Sequence, residues 1–278
     1  MATPQPDGGQ AELWNGSAGQ AWAEGQVLMD GMYQPFEDLL VEAWPEGGGG
    51  AVLDVGCGAG STTLAAARRL GPTGRVIGVD ISEPLVAAAR ARAAREGIAA
   101  TFIRADAQAH PFEPGGVDAI QSRFGVMFFA DPVAAFANLR RAAKAGGRLR
   151  VIAWRSAAEN PFMTTAERAA APLLDLPARK ADGPGQFAFA DRERVQRLLD
   201  ASGWTGIAIA PIDVPCAFPA ADLETYVGRL GPVGLALREQ DERTRTQVLD
   251  TVLPAFTPFM VGAQVRFIGA CWLIEARA

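Results

Sequence analysis

Val52-Leu53-Asp54-Val55-Gly56-Cys57-Gly58-Ala59-Gly60 decides how the rest of this chain is read. Its first four residues read as a short buried strand, the glycines as a turn, and Ser61-Thr62-Thr63 as the opening of a helix. Glycine at such a turn lets backbone come against a ligand, because no Cβ intervenes and positive φ costs little. The arrangement suggests a nucleotide-like cofactor lying across the strand end of an open α/β sheet. A dinucleotide loop needs G-x-G-x-x-G, yet the third glycine slot after Gly56 and Gly58 holds Ser61. The pattern is instead D-x-G-x-G-x-G, led by Asp54. An acid facing the ligand there would repel a pyrophosphate and suit a ligand that carries an ammonium and a sulfonium.

Outward from the loop, strands and helices alternate. Arg75 to Asp80 reads as a strand, and Pro84 to Arg95 as an alanine-rich helix with Ser82 as its N-cap. Thr101 to Arg104 and Val117 to Ser122 are further strands. Pro132 to Lys144 is a helix ended by Gly146-Gly147, and Arg148 to Trp154 is a strand. Such alternation means crossover units and a parallel sheet. After Trp154 the rhythm breaks. Arg155 to Phe189 reads as an irregular, proline-rich insertion, followed by a helix over Arg192 to Ala201 and a strand over Gly206 to Val214. A second, mostly helical insertion spans Pro219 to Phe259, and Gln264 to Glu275 is the last strand.

Before the loop, Met1 to Gln10 reads as a disordered lead-in. Leu13 to Trp44 is helical, divided by Gly16-Ser17 and Gly31, and carries Trp14, Trp22, Tyr33 and Phe36. These aromatics form either a lid over the ligand or a helix packed on the sheet. Residues 1–45 are accordingly expected to be an N-terminal helical lid. Residues 46–278 are the expected core, with substrate-cap insertions at about 155–190 and 219–260.

Composition narrows the partners. The net charge of -5 argues against nucleic acid, since phosphate binding needs a concentrated basic surface. Cys57, Cys216 and Cys271 are scattered and odd in number, and His110 is the single histidine, which argues against a zinc site. No signal-like N-terminus or spanning stretch is evident, so the expectation is a reduced, cytoplasmic protein with no membrane partner.

Asp80 ends the second strand about 20 residues beyond the loop, where an acid can accept both hydroxyls of a ribose. Its alternative is a helix-capping acid. Asp106 follows the third strand, where it is either a ligand contact or a turn residue.

The loop resembles motif I of class I S-adenosylmethionine-dependent methyltransferases. The wider resemblance, over Trp14 to about Trp154, is to small-molecule enzymes of the ubiquinone/menaquinone-biosynthesis type. It is carried by Leu53 to Gly60, Gly78-Val79-Asp80-Ile81-Ser82, Asp106-Ala107, Val117-Asp118-Ala119 and Lys144 to Leu149. It implies a Rossmann-like α/β fold, a seven-stranded, mostly parallel sheet with helical lid insertions and an antiparallel final strand. It also implies S-adenosyl-L-methionine as cofactor, no metal, and Asp54, Gly56, Cys57, Gly58, Gly60, Asp80, Ile81, Asp106, Ala107, Ser122 and Arg123 as the residues that hold it. Asp106 would then accept from the adenine amino group while the next backbone N–H meets the ring. The chain departs from the adenine N6 branch, which carries Asn-Pro-Pro-aromatic where this sequence has Ser122-Arg123-Phe124-Gly125. Pro215-Cys216 follows the sixth strand rather than the fourth, so Cys216 reads as structural.

A small aromatic or quinone-like molecule is the expected substrate, with Trp14, Trp22, Phe36, Phe124 and Trp154 as lid or pocket residues. A general base is needed only for a protonated acceptor. His110 and Tyr33 are the candidates, with Asp30 and Tyr226 as further ones; the alternative for His110, and the commoner outcome for such a residue, is a loop histidine exposed to solvent or bonded to backbone. Arg123 with Arg155 would suit an anionic substrate. An RNA or protein methyltransferase would instead gather Arg192, Arg194, Arg197 and Arg229 on one face, and a non-catalytic S-adenosylmethionine-binding protein would keep the cofactor motifs alone. The sequence leaves the oligomeric state open.

Overall fold

The computed structural model describes residues 9–177 and 183–278. The expected lead-in thus lies almost wholly outside the described residues, as does the 178–182 part of the first insertion. Strand β1 (Gly50–Val55) runs through the middle of the sheet and is buried from Ala51 onward. β2 (Gly74–Asp80) and β4 (Val117–Arg123) flank it, both parallel to it. β3 (Thr101–Arg104) continues beyond β2, and β5 (Ala143–Trp154) beyond β4, again in parallel. β8 (Gln264–Arg277) then lies antiparallel between β5 and the edge strand β6 (Thr205–Pro219). The order is β3-β2-β1-β4-β5-β8-β6, and the two-residue β7 (Met260–Val261) pairs with β8 off this path. This is the mostly parallel, Rossmann-like sheet expected, with one short extra strand.

The strand order reverses between β1 and β4, and such a switch opens a crevice at the carboxyl ends of the strands. Glycines make it narrow here. A Cβ on Gly56 would lie 2.5 Å from the Gly125 Cα, so the loops after β1 and β4 touch backbone to backbone.

The crossover helices are capped as their sequences dictate. In α5 (Glu83–Glu96) the Ser82 hydroxyl accepts from the Leu85 N–H at 3.5 Å, and Gly97 closes the helix in the left-handed region. In α6 (Pro132–Ala142) the Asp131 carboxylate accepts from the Ala134 N–H at 3.0 Å. That helix stops two residues before the expected Lys144, because Ala143 already pairs with Val117 as the first residue of β5. The other crossover helices are α4 (Ser61–Leu70) and α8 (Arg192–Ala201).

The N-terminal segment forms α1 (Gln10–Asn15), α2 (Ser17–Glu24) and α3 (Gln26–Val41). The break at Gly16 is where the sequence put it. The second break falls at Gly25, and the expectation of one at Gly31 is corrected. A Cβ on Gly31 would meet nothing within 4 Å, so only its helix propensity opposes the helix, at about 1 kcal/mol. The buried face of Met29, Met32, Tyr33, Phe36 and Leu40 outweighs that. Phe36 sits where β8 has Gly269, whose Cβ would lie 2.6 Å from the Phe36 ring.

Both insertions contain helices. The first holds α7 (Pro161–Ala170), where an irregular segment was expected. Pro161 takes a first-turn position, at which a missing N–H costs nothing, so this proline starts structure rather than breaking it. The second holds α9 (Leu223–Arg229), α10 (Gly231–Leu237) and α11 (Glu242–Val252). Phe162 of α7 ties them together: it stacks on Phe267 at 4.0 Å and meets Tyr226 at 5.4 Å and Phe256 at 5.3 Å between ring centroids. β6 runs on to Pro219, five residues beyond the expected Val214, through Pro215. An edge strand tolerates proline, because one side of it has no partner to receive an N–H. Among the described residues no helix is long and apolar enough to cross a membrane.

Candidate functional site

A cavity of 430 Å³ opens over the carboxyl ends of β1, β2 and β4. Its floor is the glycine loop with Asp80, Asp106 and Arg123, its roof is α1 to α3, and Met163, Tyr226 and Leu230 of the insertions close one side. The volume lies in the range of small-molecule sites, about 300–1,000 Å³.

The loop is held from behind. The N–H groups of Gly56 and Cys57 both donate to Val79 O, at 2.8 and 3.1 Å. Asp80 fixes its front: one carboxylate oxygen accepts from the Gly58 N–H at 2.8 Å, the other from the Ser82 N–H at 2.9 Å. Burial pushes the Asp80 carboxyl up from its ordinary range, against the pull of these N–H groups. Asp80 and Ile81 line the cavity. At Gly58 an added Cβ would meet nothing within 4 Å, so the loop leaves open space there for a ligand.

Asp106 also lines the cavity, and its carboxylate accepts from the Gln108 N–H at 2.9 Å, which shapes the turn. It therefore satisfies the turn reading while still facing the cavity. Ala107, beside it on the wall, uses its carbonyl to accept from Asn138 at 3.0 Å. Cys57 is buried, and burial raises its thiol well above the ordinary range, so it is an inert packing residue of the loop.

Three expected cofactor residues do not reach the cavity wall. Asp54 is fully buried and turns beneath the loop, where the Thr62 and Thr63 hydroxyls both donate to one carboxylate oxygen at 2.6 Å. The expectation that it faces the ligand is corrected: strand alternation turns it toward the start of α4, where its charge meets the positive end of that helix. Gly60 packs toward Ala89 and Phe102. Ser122 donates to Val55 O at 2.7 Å and accepts from the Gly125 N–H at 3.2 Å, joining the loops after β1 and β4.

The catalytic candidates also separate. His110 lies outside the cavity lining, its ring edge-on to Phe112 at 4.7 Å and its carbonyl accepting from Asn138 at 2.9 Å. The His110 N–H donates to Asp106 O at 2.9 Å, and the cavity lining gives no support to its expected role as base. Tyr33 does line the cavity. It sits edge-on to Phe124 at 5.4 Å and to Trp154 at 6.0 Å, and those two rings stack on each other at 4.4 Å. Burial first, then the neighbouring Tyr226, pushes the Tyr33 hydroxyl well above its ordinary range, so at neutral pH it is a hydrogen-bonding hydroxyl and no phenolate base. Tyr226 is likewise pushed up by burial. Asp30 is committed to Arg92 of α5.

Arg123 is the one cation lining the cavity among the described residues. Its guanidinium donates to Tyr33 O at 3.3 Å and lies 5.7 Å from the Tyr33 ring centroid. Arg155 stands apart, paired with Glu159 at 3.0 Å and Asp213 at 3.1 Å, so the expected pair of arginines is not formed. Arg192, Arg194, Arg197 and Arg229 do not line the cavity either. Four acids do: Asp30, Asp80, Asp106 and Glu167.

Sequence reasoning missed Glu37, which accepts from the Ser61 hydroxyl at the start of α4, and Gln26, which lines the cavity from the first turn of α3. Both lie in a helix read for its aromatics and Asp30, and a polar residue one turn from an apolar stripe carries no marker of its direction.

Comparison with known proteins agrees with this geometry. Residues 52–147 match the family described as "Methyltransferase domain". The ubiquinone/menaquinone biosynthesis C-methyltransferase UbiE of Burkholderia mallei is 35% identical over 126 residues, 45% of this chain and 52% of that protein. Nocamycin O-methyltransferase of Saccharothrix syringae is 35% identical over 118 residues, 42% of each chain. The chain thus spans about half the length of the curated relatives it matches. The solved structure of the YcgJ protein from Bacillus subtilis shares the fold, with a TM-score of 0.57 at 18% identity over 87% of this chain and 97% of that one.

Proposed function

We propose, starting from the methyltransferase domain matched over residues 52–147, that this chain transfers a methyl group from S-adenosyl-L-methionine to a small, aromatic or quinone-like molecule. The observation that carries the reading is the charge of the cavity: among the described residues four carboxylates line it, of which Asp30 is paired with Arg92, and a single guanidinium. That balance favours a cationic ligand and disfavours a polyphosphate or nucleic-acid strand. The resemblance to curated C- and O-methyltransferases supports a small acceptor without choosing the atom methylated.

The residues present fit the cofactor. The open space at Gly58 admits it against the loop, the Asp80 carboxylate on the cavity wall suits a ribose diol, and Asp106 with Ala107 would meet the adenine edge. When bound, S-adenosylmethionine supplies an activated methyl on a sulfonium. The protein's part is alignment and exclusion of water. Trp14 meets Trp22 at 5.8 Å and Phe128 at 5.2 Å, so rings from α1, α2 and the turn after β4 seal one side of the cavity. Holding reactants in line in a dry site is worth several kcal/mol of barrier. Tyr33 and Tyr226, both kept as neutral hydroxyls, orient an acceptor by hydrogen bonding rather than by taking its proton.

The test is to incubate the protein and methyl-labelled S-adenosylmethionine with cell extract of the source organism and to fractionate the label. Label in solvent-extractable or soluble small molecules is the expected result. Label in acid-precipitable material would replace the reading with an RNA or protein methyltransferase, and no transfer to any fraction would favour a binding protein without chemistry.

A further inference from the structure

Among the polar groups that line the cavity and that the cofactor reading leaves unused is Gln26. It lines the cavity from the first turn of α3, and its Oε1 is cut off from solvent with no hydrogen-bond partner in the structure. A buried carbonyl left unpaired is costly, and such atoms in native proteins call for a partner that the folded chain does not supply. Gln26, Met29 and Tyr33 are spaced i, i+3 and i+7 and all line the cavity, so α3 lays one face along it.

Gln26 lies at the end of α3 that faces the second insertion. The preceding Gly25 would place a Cβ 3.2 Å from Leu230, so this end of α3 abuts the second insertion. Leu230 and Tyr226 of that insertion line the same cavity, as does Met163 of the first, whose sulfur lies 4.0 Å from the Tyr226 hydroxyl. Further along α3, Tyr33 meets the flat Phe124–Trp154 stack. Aromatic faces and edges in such an arrangement take a planar ring in stacked or edge-on contact.

We propose that this side of the cavity is the acceptor subsite, and that it takes a flat, largely apolar ring bearing a hydroxyl whose O–H donates to Gln26 Oε1. The subsite rests on the methyltransferase reading above and adds to it the polar selector of the acceptor. A site built to pair with a hydroxyl rejects the analogue that lacks it, because its own buried polar atom is then left unpaired.

The experiment uses the full chain saturated with S-adenosylhomocysteine, so that no turnover occurs. It is titrated at pH 6.5 with 7-hydroxycoumarin and with 7-methoxycoumarin, in which a methyl group replaces the hydroxyl proton, and the Gln26→Leu variant separates loss of the donor from the added bulk. The hydroxyl compound is expected to bind about tenfold tighter, the worth of one good buried hydrogen bond. Gln26→Leu is expected to abolish that preference while leaving S-adenosylhomocysteine affinity within about twofold of wild type, as for a residue away from the cofactor. Equal binding of the two coumarins by wild type, binding of neither, or a preference kept in Gln26→Leu would overturn the proposal. Loss of S-adenosylhomocysteine affinity in the variant would also overturn it, by assigning Gln26 to the cofactor. A wild-type protein that does not bind S-adenosylhomocysteine would instead contradict the methyltransferase reading on which the subsite rests.

Discussion

Asp54 keeps a carboxyl where solvent does not reach it, and burial pushes its pKa up to about 6 although the Thr62 and Thr63 hydroxyls pull the other way. The sign follows from proton counts. Between its unfolded value, near 4, and about 6, the folded chain holds a proton that the unfolded chain has lost, so this group favours folding less as pH rises. Asp118, Glu96 and Glu159 are shifted down, and their contributions are lost only below the ordinary carboxylate range. Thermal melting of wild type and Asp54→Asn at pH 5 and pH 7 is therefore expected to show a smaller loss of Tm on raising the pH in the variant. Equal losses would mean that Asp54 does not carry the raised pKa. At this scale the sequence told residue type better than direction. Gly56, Gly58, Asp80 and Asp106 were legible because spacing and strand ends constrain them. Asp54, Ser122 and His110 were not, since the face that a strand residue or a turn residue shows depends on which layer covers it.

Three helices make up the roof, and the first is attached chiefly by polar contacts. Asn15 of α1 donates to Ile81 O at 3.0 Å and accepts from the Glu83 N–H at 2.8 Å, while Ser82 donates to Trp14 O at 2.6 Å. α1 contributes no buried residue, whereas α3 buries Met32, Phe36 and Leu40 completely. Opening free energy follows burial, so α1 is expected to open more readily than α3, as a lid over the cavity would require. Hydrogen exchange with and without S-adenosylhomocysteine is expected to show slowed exchange over Gln10–Glu24, with α3 protected in both states. Unchanged exchange in α1 and α2 alongside a protected glycine loop would show that these helices are no lid. Removing the anchor of α3 is expected to be severe: Phe36→Ala should lower stability by about 3–5 kcal/mol in denaturant melts, the usual cost of truncating a fully buried ring. Element boundaries were readable where caps mark them, as at Ser82 and Asp131. They were hidden where proline plays its less familiar part, starting α7 at Pro161 and lying within edge strand β6 at Pro215.

For the molecule as a whole, sheet order, charge and cavity point the same way. Local pattern was enough to give the alternation of strands and helices, and the resemblance supplied the reversed final strand. The helical insertions took shape only through contacts distant in sequence, such as Phe162 on Phe267. An acidic cavity in a chain of net charge -5 is the property that joins fold to function. The proposed function requires Asp80 and the glycine loop to hold S-adenosylmethionine. Calorimetric titration of wild type and Asp80→Ala with S-adenosylhomocysteine tests this most directly. The account predicts one site per chain in wild type and affinity weakened about tenfold or more in the variant, for a lost charge-assisted pair of hydrogen bonds. Equal affinity in the two proteins, or no binding by wild type, would contradict it.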